Sequence, residues 1–208
     1  MNKIAMGVVL LLLLGIVLPE GAYAATVTAP VIVSKAIVSN TMSLTVAMKK
    51  NDWNGADITS MDFGTLMPFT PSGTLRSSTT GSTGTGAVLV WIWGHAQGAP
   101  YIIKQSGTAL TSGTNKIPEG ACSLVPVYIS DDNSGRSLSP GAQVGAKGSW
   151  VATDKMLYTS ESGVAKGVGI RAYYSITDDS VTGAATGAVP IDQPAGTYQG
   201  TVTITMTA

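Results

Sequence analysis

From position 198 onward the chain alternates without a fault: Tyr198, Gly200, Val202, Ile204 and Met206 fall on one side, and Thr201, Thr203, Thr205 and Thr207 on the other. A period of two sends successive side chains to opposite faces of an extended strand, and β-branched residues suit that backbone. The pattern recurs over 26–34 (Val27, Ala29, Val31, Val33), over 41–48 (Met42, Leu44, Val46, Met48) and over 168–177 (Val168, Ile170, Ala172, Tyr174, Ile176, with Tyr173 opposite). No stretch of a dozen residues repeats apolar positions at helical spacing free of glycine, proline or β-branched runs, so an all-β chain is expected.

The remaining segments agree. Residues 58–66 read as a short strand with Gly64 at a bulge, and 87–94 (Val88, Leu89, Val90, Trp91, Ile92, Trp93) as a central strand buried on both faces. Strands are also expected over 101–105 and 121–130, the latter with Pro126 at an edge position or bulge, and short ones at 150–151 and 156–158. Turn-forming clusters at 51–55 and 131–135 and a Ser/Thr/Gly/Pro connection over 68–86 separate them. Roughly seven to nine strands of this kind make a two-sheet β-sandwich with Greek-key connections the leading architecture, with a closed β-barrel as the alternative.

The first residues follow another logic. Asn2 and Lys3 precede an apolar run over 8–18, which Pro19 breaks ahead of Ala22-Tyr23-Ala24. That order reads as a secretory signal peptide over 1–24, cleaved after Ala24, and its apolar core is shorter than the roughly 20 residues a membrane-spanning helix needs. The expected organisation is therefore a signal peptide, an extended N-terminal arm over 25–40, and one sandwich domain over 41–208. After cleavage no membrane span is expected, and the product is expected to be secreted.

Charged residues make up 12% of the chain, with 12 basic against 12 acidic, and Lys49-Lys50 is the one adjacent basic pair. A nucleic-acid partner would need clustered cations, so none is expected. The single cysteine, Cys122, excludes an internal disulfide. It reads as a buried free thiol, with an intermolecular disulfide as the alternative.

Catalytic chemistry finds little to work with. His95 is the only histidine and sits in a glycine-flanked stretch expected to be a loop after the central strand, with no nucleophile setting around it. Asp131, Asp132 and Asn133 resemble part of a calcium loop, but Gly135 and Arg136 break the pattern and the closing glutamate is missing. Asp178-Asp179 reads as a turn, and one histidine with one cysteine cannot make a zinc site. No enzyme activity, metal or cofactor is expected. Trp53, between Asp52 and Asn54, is the aromatic best placed to stack on a sugar, but a turn aromatic folded back on the sandwich end is the favoured reading of it.

The arm and the terminal strand invite a joint explanation. Both could pair within one domain, or an arm with apolar residues at every second position could add itself to an open sheet edge of a neighbouring copy. At this point the chain resembles a family. The signal peptide, the alternating arm, the segment Met61-Asp62-Phe63-Gly64-Thr65-Leu66, and above all the run from Pro194-Ala195-Gly196-Thr197-Tyr198 to Met206 are similar to the pilin and spore-coat-U-type subunits assembled by the bacterial chaperone–usher route. The resemblance lies at the two ends of the chain. It implies an immunoglobulin-like fold missing its last strand, a periplasmic chaperone docking along the terminal edge strand at Val202, Ile204 and Met206, and an outer-membrane usher. It also implies that Val27, Ala29, Val31 and Val33 of the next subunit replace the chaperone. Two features depart from the family: many relatives carry a disulfide near the start of the fold, and Pro30 lies inside the donor arm without an N–H to give.

The expected function is accordingly a structural subunit of a fimbria, pilus or surface coat serving cell adhesion, assembled by strand exchange with other copies or related subunits. The rival is a monomeric secreted β-sandwich that binds a carbohydrate or other ligand through loops such as 97–99 or the Trp53 turn.

Overall fold

The computed structural model describes residues 25–33, 42–49, 56–69, 72–77, 87–96, 99–131, 138–161, 167–176 and 186–208. The expected signal peptide, the Trp53 turn, Asp132, Asn133, Gln97, Gly98 and Asp178-Asp179 lie outside them. In chain order the first strands are β1 (Ala25–Val33), β2 (Met42–Lys49), β3 (Asp57–Ile58), β4 (Ser60–Phe69), β5 (Thr74–Ser77) and β6 (Ala87–Ala96). β7 (Ile102–Gly107), β8 (Thr111–Ser112), β9 (Asn115–Lys116), β10 (Cys122–Asp131), β11 (Gln143–Val144) and β12 (Gly148–Ser149) follow. The last are β13 (Lys155–Thr159), β14 (Val168–Ile176), β15 (Val189–Pro190), β16 (Gly196–Gln199) and β17 (Val202–Thr207). A 3-10 turn at Glu119–Ala121 is the one helical element among the described residues.

Two sheets form, and neither closes on itself, so the fold is an all-β sandwich and not a barrel. The six-stranded sheet runs β12-β10-β14-β6-β2-β3, antiparallel throughout. Its inward face is the one the alternation foretells. Val168, Ile170, Ala172, Tyr174 and Ile176 of β14 are all buried, as are Val88, Val90 and Ile92 of β6 and Met42, Leu44 and Met48 of β2. The eleven-stranded sheet runs β11-β13-β7-β17-β1-β16-β8-β9, with β4, β5 and β15 continuing from β1.

An aromatic relay joins the layers. Phe63 of β4 stacks on Trp150 at 6.1 Å between ring centroids, and Trp150 meets the edge of Tyr174 of β14 at 6.4 Å. Polar atoms brought into this dry space must find partners, and they do. The wholly buried Gln105 of β7 donates from Nε2 to the Trp150 carbonyl at 2.8 Å and accepts the Tyr174 hydroxyl at 3.4 Å. Gly107 allows this approach, because a Cβ there would stand 2.2 Å from the Trp150 carbonyl oxygen.

Five local expectations are revised. The connection expected over 68–86 holds the end of β4 and the strand β5, which pair with each other. The terminal alternation is two strands, because at Gly200-Thr201 the chain leaves β16 and Thr108 steps in: the Thr201 N–H donates to Thr108 Oγ1 at 2.8 Å, and the Thr108 N–H to the Thr201 carbonyl at 2.9 Å. His95 is not in a loop but in β6, opposite Ser43. The central strand β6 is buried on both faces from Val88 to Ile92, as expected, but opens at its far end, where Trp93 is 45% exposed. Trp150 follows β12 instead of lying in a strand. Pro126 falls beyond the stretch of β10 that β12 covers, at an edge position among the described residues, as expected.

Candidate functional site

The first and the last of the described strands meet in the slot that holds β1. On one side β1 lies antiparallel to β4, with Ala25 opposite Leu66, Val27 opposite Gly64 and Ala29 opposite Met61. On the other it runs parallel to the C-terminal strands. Residues 25–28 pair with 196–199 of β16, and Val31, Ile32 and Val33 pair with Val202, Thr203 and Ile204 of β17.

Sequence details on both walls explain how a strand fits between them. In β4 the pairing skips Phe63, and Gly64 takes the left-handed conformation (φ 68°) that a bulge needs and that costs glycine little. Asp62 Oδ1 accepts the Gly64 N–H at 2.8 Å, and Ser77 Oγ donates to the carbonyl of Phe63. The bulge expected at Gly64 is thus present, with its polar groups satisfied. Pro30 lies where the parallel ladder passes from β16 to β17, between the pairs Thr28–Gln199 and Val31–Val202. An N–H is not required of β1 at that interruption, which accommodates the proline.

The opposite wall is rigidly built. Tyr198 is wholly buried; its hydroxyl donates to the Pro194 carbonyl at 2.6 Å and accepts Nε2 of Gln193 at 2.7 Å, so the run over 193–198 is tied to itself. Val202, Ile204 and Met206 are buried in the core, with Met206 opposite Ile103 of β7. β17 is therefore not an edge strand in this arrangement. It has β7 on one side and β1 on the other, and it would become an edge only with β1 withdrawn.

The register brings the expected donor residues Val27, Val31 and Val33 level with Tyr198, Val202 and Ile204, and Ala29 level with Met61. The two segments singled out in the sequence thus come together, and they do so within one chain. Among the described residues β1 is also the only strand through which β4, β5 and β15 are hydrogen-bonded to the rest of their sheet.

Other candidates do not assemble into a reactive centre. Cys122 is buried and free, and burial first, then the nearby Glu119 carboxylate, pushes its thiol far above the ordinary range. Such a thiol stays protonated and is a poor nucleophile. His95 is exposed on β6, away from that buried thiol. No cluster of three metal-ligating side chains occurs among the described residues. A cavity of about 540 Å³ beside β16 is lined by Thr108, Thr111, Lys116, Gln199 and Thr201, with no carboxylate or histidine on its wall. Sequence reading passed over a second feature, the outward row of Trp91 and Trp93, although their i, i+2 spacing on one strand face was visible. No protein-family model and no curated protein matches this chain.

Proposed function

We propose that the protein is a secreted structural subunit of a surface fibre or coat, and that copies join by exchanging β1. The observation that carries this reading is the position of β1, among the described residues the one strand completing the sheet between β4 and the C-terminal pair β16–β17. A terminal strand that fills such a slot in its own chain can fill the same slot in a neighbour with the same hydrogen bonds. The single subunit is then the closed form, and high local concentration favours the exchanged one. β1 is joined to β2, in the other sheet, through residues 34–41, which fully extended span at most roughly 28 Å. That length bounds how far the neighbouring slot can be.

In this reading the partners are other copies or related subunits. The likeness of the two chain ends to chaperone–usher subunits adds a periplasmic chaperone that occupies the slot while β1 is out of it, and an outer-membrane usher. Cell adhesion would be a property of the assembled polymer.

The test is a chain lacking residues 25–33. It is expected to stay unassembled at concentrations where the whole mature chain forms detergent-resistant ladders, and to capture a synthetic peptide of sequence ATVTAPVIV in equimolar amount. The whole chain, with its slot filled, should not take up the peptide. Assembly of the shortened chain as readily as the whole one would end the proposal.

A further inference from the structure

The outward face of the six-stranded sheet carries aromatic side chains that the core does not use. Val90 and Ile92 point inward and are wholly buried, which turns Trp91, Trp93 and His95 of β6 outward. The register sets Gly169 beside Trp93 and Arg171 beside Trp91 on β14, and Thr45 beside Trp93 on β2. Trp93 leaves 45% of its surface in solvent. Its ring leans across the neighbouring strand because Gly169 has no side chain: a Cβ there would stand 2.5 Å from Cζ3 and 2.7 Å from Cη2 of the indole. The Trp91 ring lies 19° from parallel with it, centroids 6.5 Å apart.

Among the described residues Arg171 is the cation inside this row, and no carboxylate compensates it. The Arg171 guanidinium carbon stands 4.5 Å from the Trp91 ring centroid, its Nε is buried without a hydrogen-bond partner, and among the described residues no carboxylate pairs with it. Lys49, at the margin of the same sheet, differs in being paired with Asp57 at 2.6 Å. A guanidinium over an indole keeps its outer donors in the fork that matches a carboxylate.

We infer that this face binds an acidic carbohydrate, with a pyranose ring stacked on Trp93 and its carboxylate on Arg171. The inference is independent of strand exchange. An apolar or aromatic small molecule would need a concavity that buries most of its surface, which an open sheet face cannot supply. A nucleic acid would need several cations to neutralise phosphates. A sugar acid needs neither. The apolar C–H side of its ring sits on the indole, its hydroxyls stay in water or reach Thr45 and His95, and the carboxylate of the stacked ring meets the Arg171 guanidinium.

The experiment titrates trigalacturonate, and separately its methyl ester, into the whole mature chain by calorimetry, following the indole N–H signals by NMR. Binding of the acid with a shift of the Trp93 signal is expected. Trp93→Ala should weaken it at least about tenfold, and Arg171→Gln should weaken the acid by about tenfold or more while leaving the ester unchanged. Gly169→Ala, which removes no recognising group but displaces the ring, should also weaken binding, and the remote exposed Ile191→Ala should not. The inference is overturned if acid and ester bind alike, if the wild-type chain binds neither at millimolar concentration, or if the Trp93 signal stays fixed while ligand binds. A dimer of the wild-type chain that Trp93→Ala abolishes would overturn it too, by making the face a contact between copies.

Discussion

The two sheets of this sandwich reach completeness by different routes. In the six-stranded sheet, β10, β14, β6 and β2 are long strands that pair with one another in antiparallel ladders, each register running eight residues or more. In the eleven-stranded sheet the ladders are shorter, and continuity depends on β1, which enters parallel to β16 and β17 from the far end of the chain. Parallel pairing is slightly weaker per residue than antiparallel. One layer is therefore a self-paired scaffold, and the other contains a seam closed by a strand from distant sequence.

Substitutions can press on that contrast. The largest effect is expected from Ile170→Ala, wholly buried in the middle of β14. It should cost about 2–5 kcal/mol in chemical denaturation, as for other large-to-small core changes, while leaving the assembly state of the folded chain unaltered. A shift in oligomer distribution as large as that from losing β1 would mean that the scaffold and the seam are not separable.

Gln105→Leu probes the bridge between the layers. It deprives the Trp150 carbonyl and the Tyr174 hydroxyl of their buried partner and should cost about 1–3 kcal/mol. Equal stability of the variant and the parent would show that the polar link between sheets contributes nothing.

Alkaline unfolding should begin in the scaffold. Burial pushes the Cys122 thiol of β10 above its ordinary value of 9.0, with Glu119 adding to it, and burial pushes the Tyr174 phenol of β14 above its ordinary 10.0. Both groups are neutral when protonated, so the native state holds protons that the unfolded chain releases. Their stability is fully present below pH 9 and falls as pH rises past it, on the order of 1 kcal/mol per pH unit for each ionising group. Cys122→Ala should remove the earlier part of that fall. An unchanged alkaline limb in a stability-against-pH series would contradict this.

The smallest effect is expected at the sheet margin. The Lys49–Asp57 pair joins β2 to β3 at 2.6 Å, but Asp57 is 75% exposed, and Lys49→Ala should shift stability by no more than about 0.5 kcal/mol. A larger loss in a thermal melt would make β3 a structural part of the scaffold.

These contrasts also explain what could be read from the residues in advance. The inward faces of β14 and β2 were legible because alternation states directly which side of a strand is apolar, and Cys122 among core residues read correctly as buried and free. The strand in the slot and one of its walls were singled out, through Val27, Ala29, Val31, Val33 and Val202, Ile204, Met206; the other wall, β4, was not. Alternation says nothing about partners, however, so neither the parallel register of β1 nor its pairing within its own chain was legible. Trp93 was misread because an unbroken apolar run suggests burial on both faces, whereas the indole rests partly exposed over Gly169, a residue that is its neighbour only in the folded sheet. The break at Gly200-Thr201 has a similar cause, since the group that replaces the ladder there belongs to Thr108, distant in sequence.

The account stands or falls on whether β1 can leave its own slot for another. Thr26 and Thr197 are directly paired, Thr197 is exposed, and parallel neighbours stand about 4.8 Å apart, within the range a disulfide bridges. A chain carrying Thr26→Cys and Thr197→Cys should close an internal disulfide when oxidised dilute, and then remain monomeric at any concentration. Concentrated in reductant before oxidation, it should give a covalent ladder of multimers on a non-reducing gel, because the strand beside position 197 then comes from another copy. If only the internal bridge forms under both regimes, β1 does not exchange and the fibre reading is wrong.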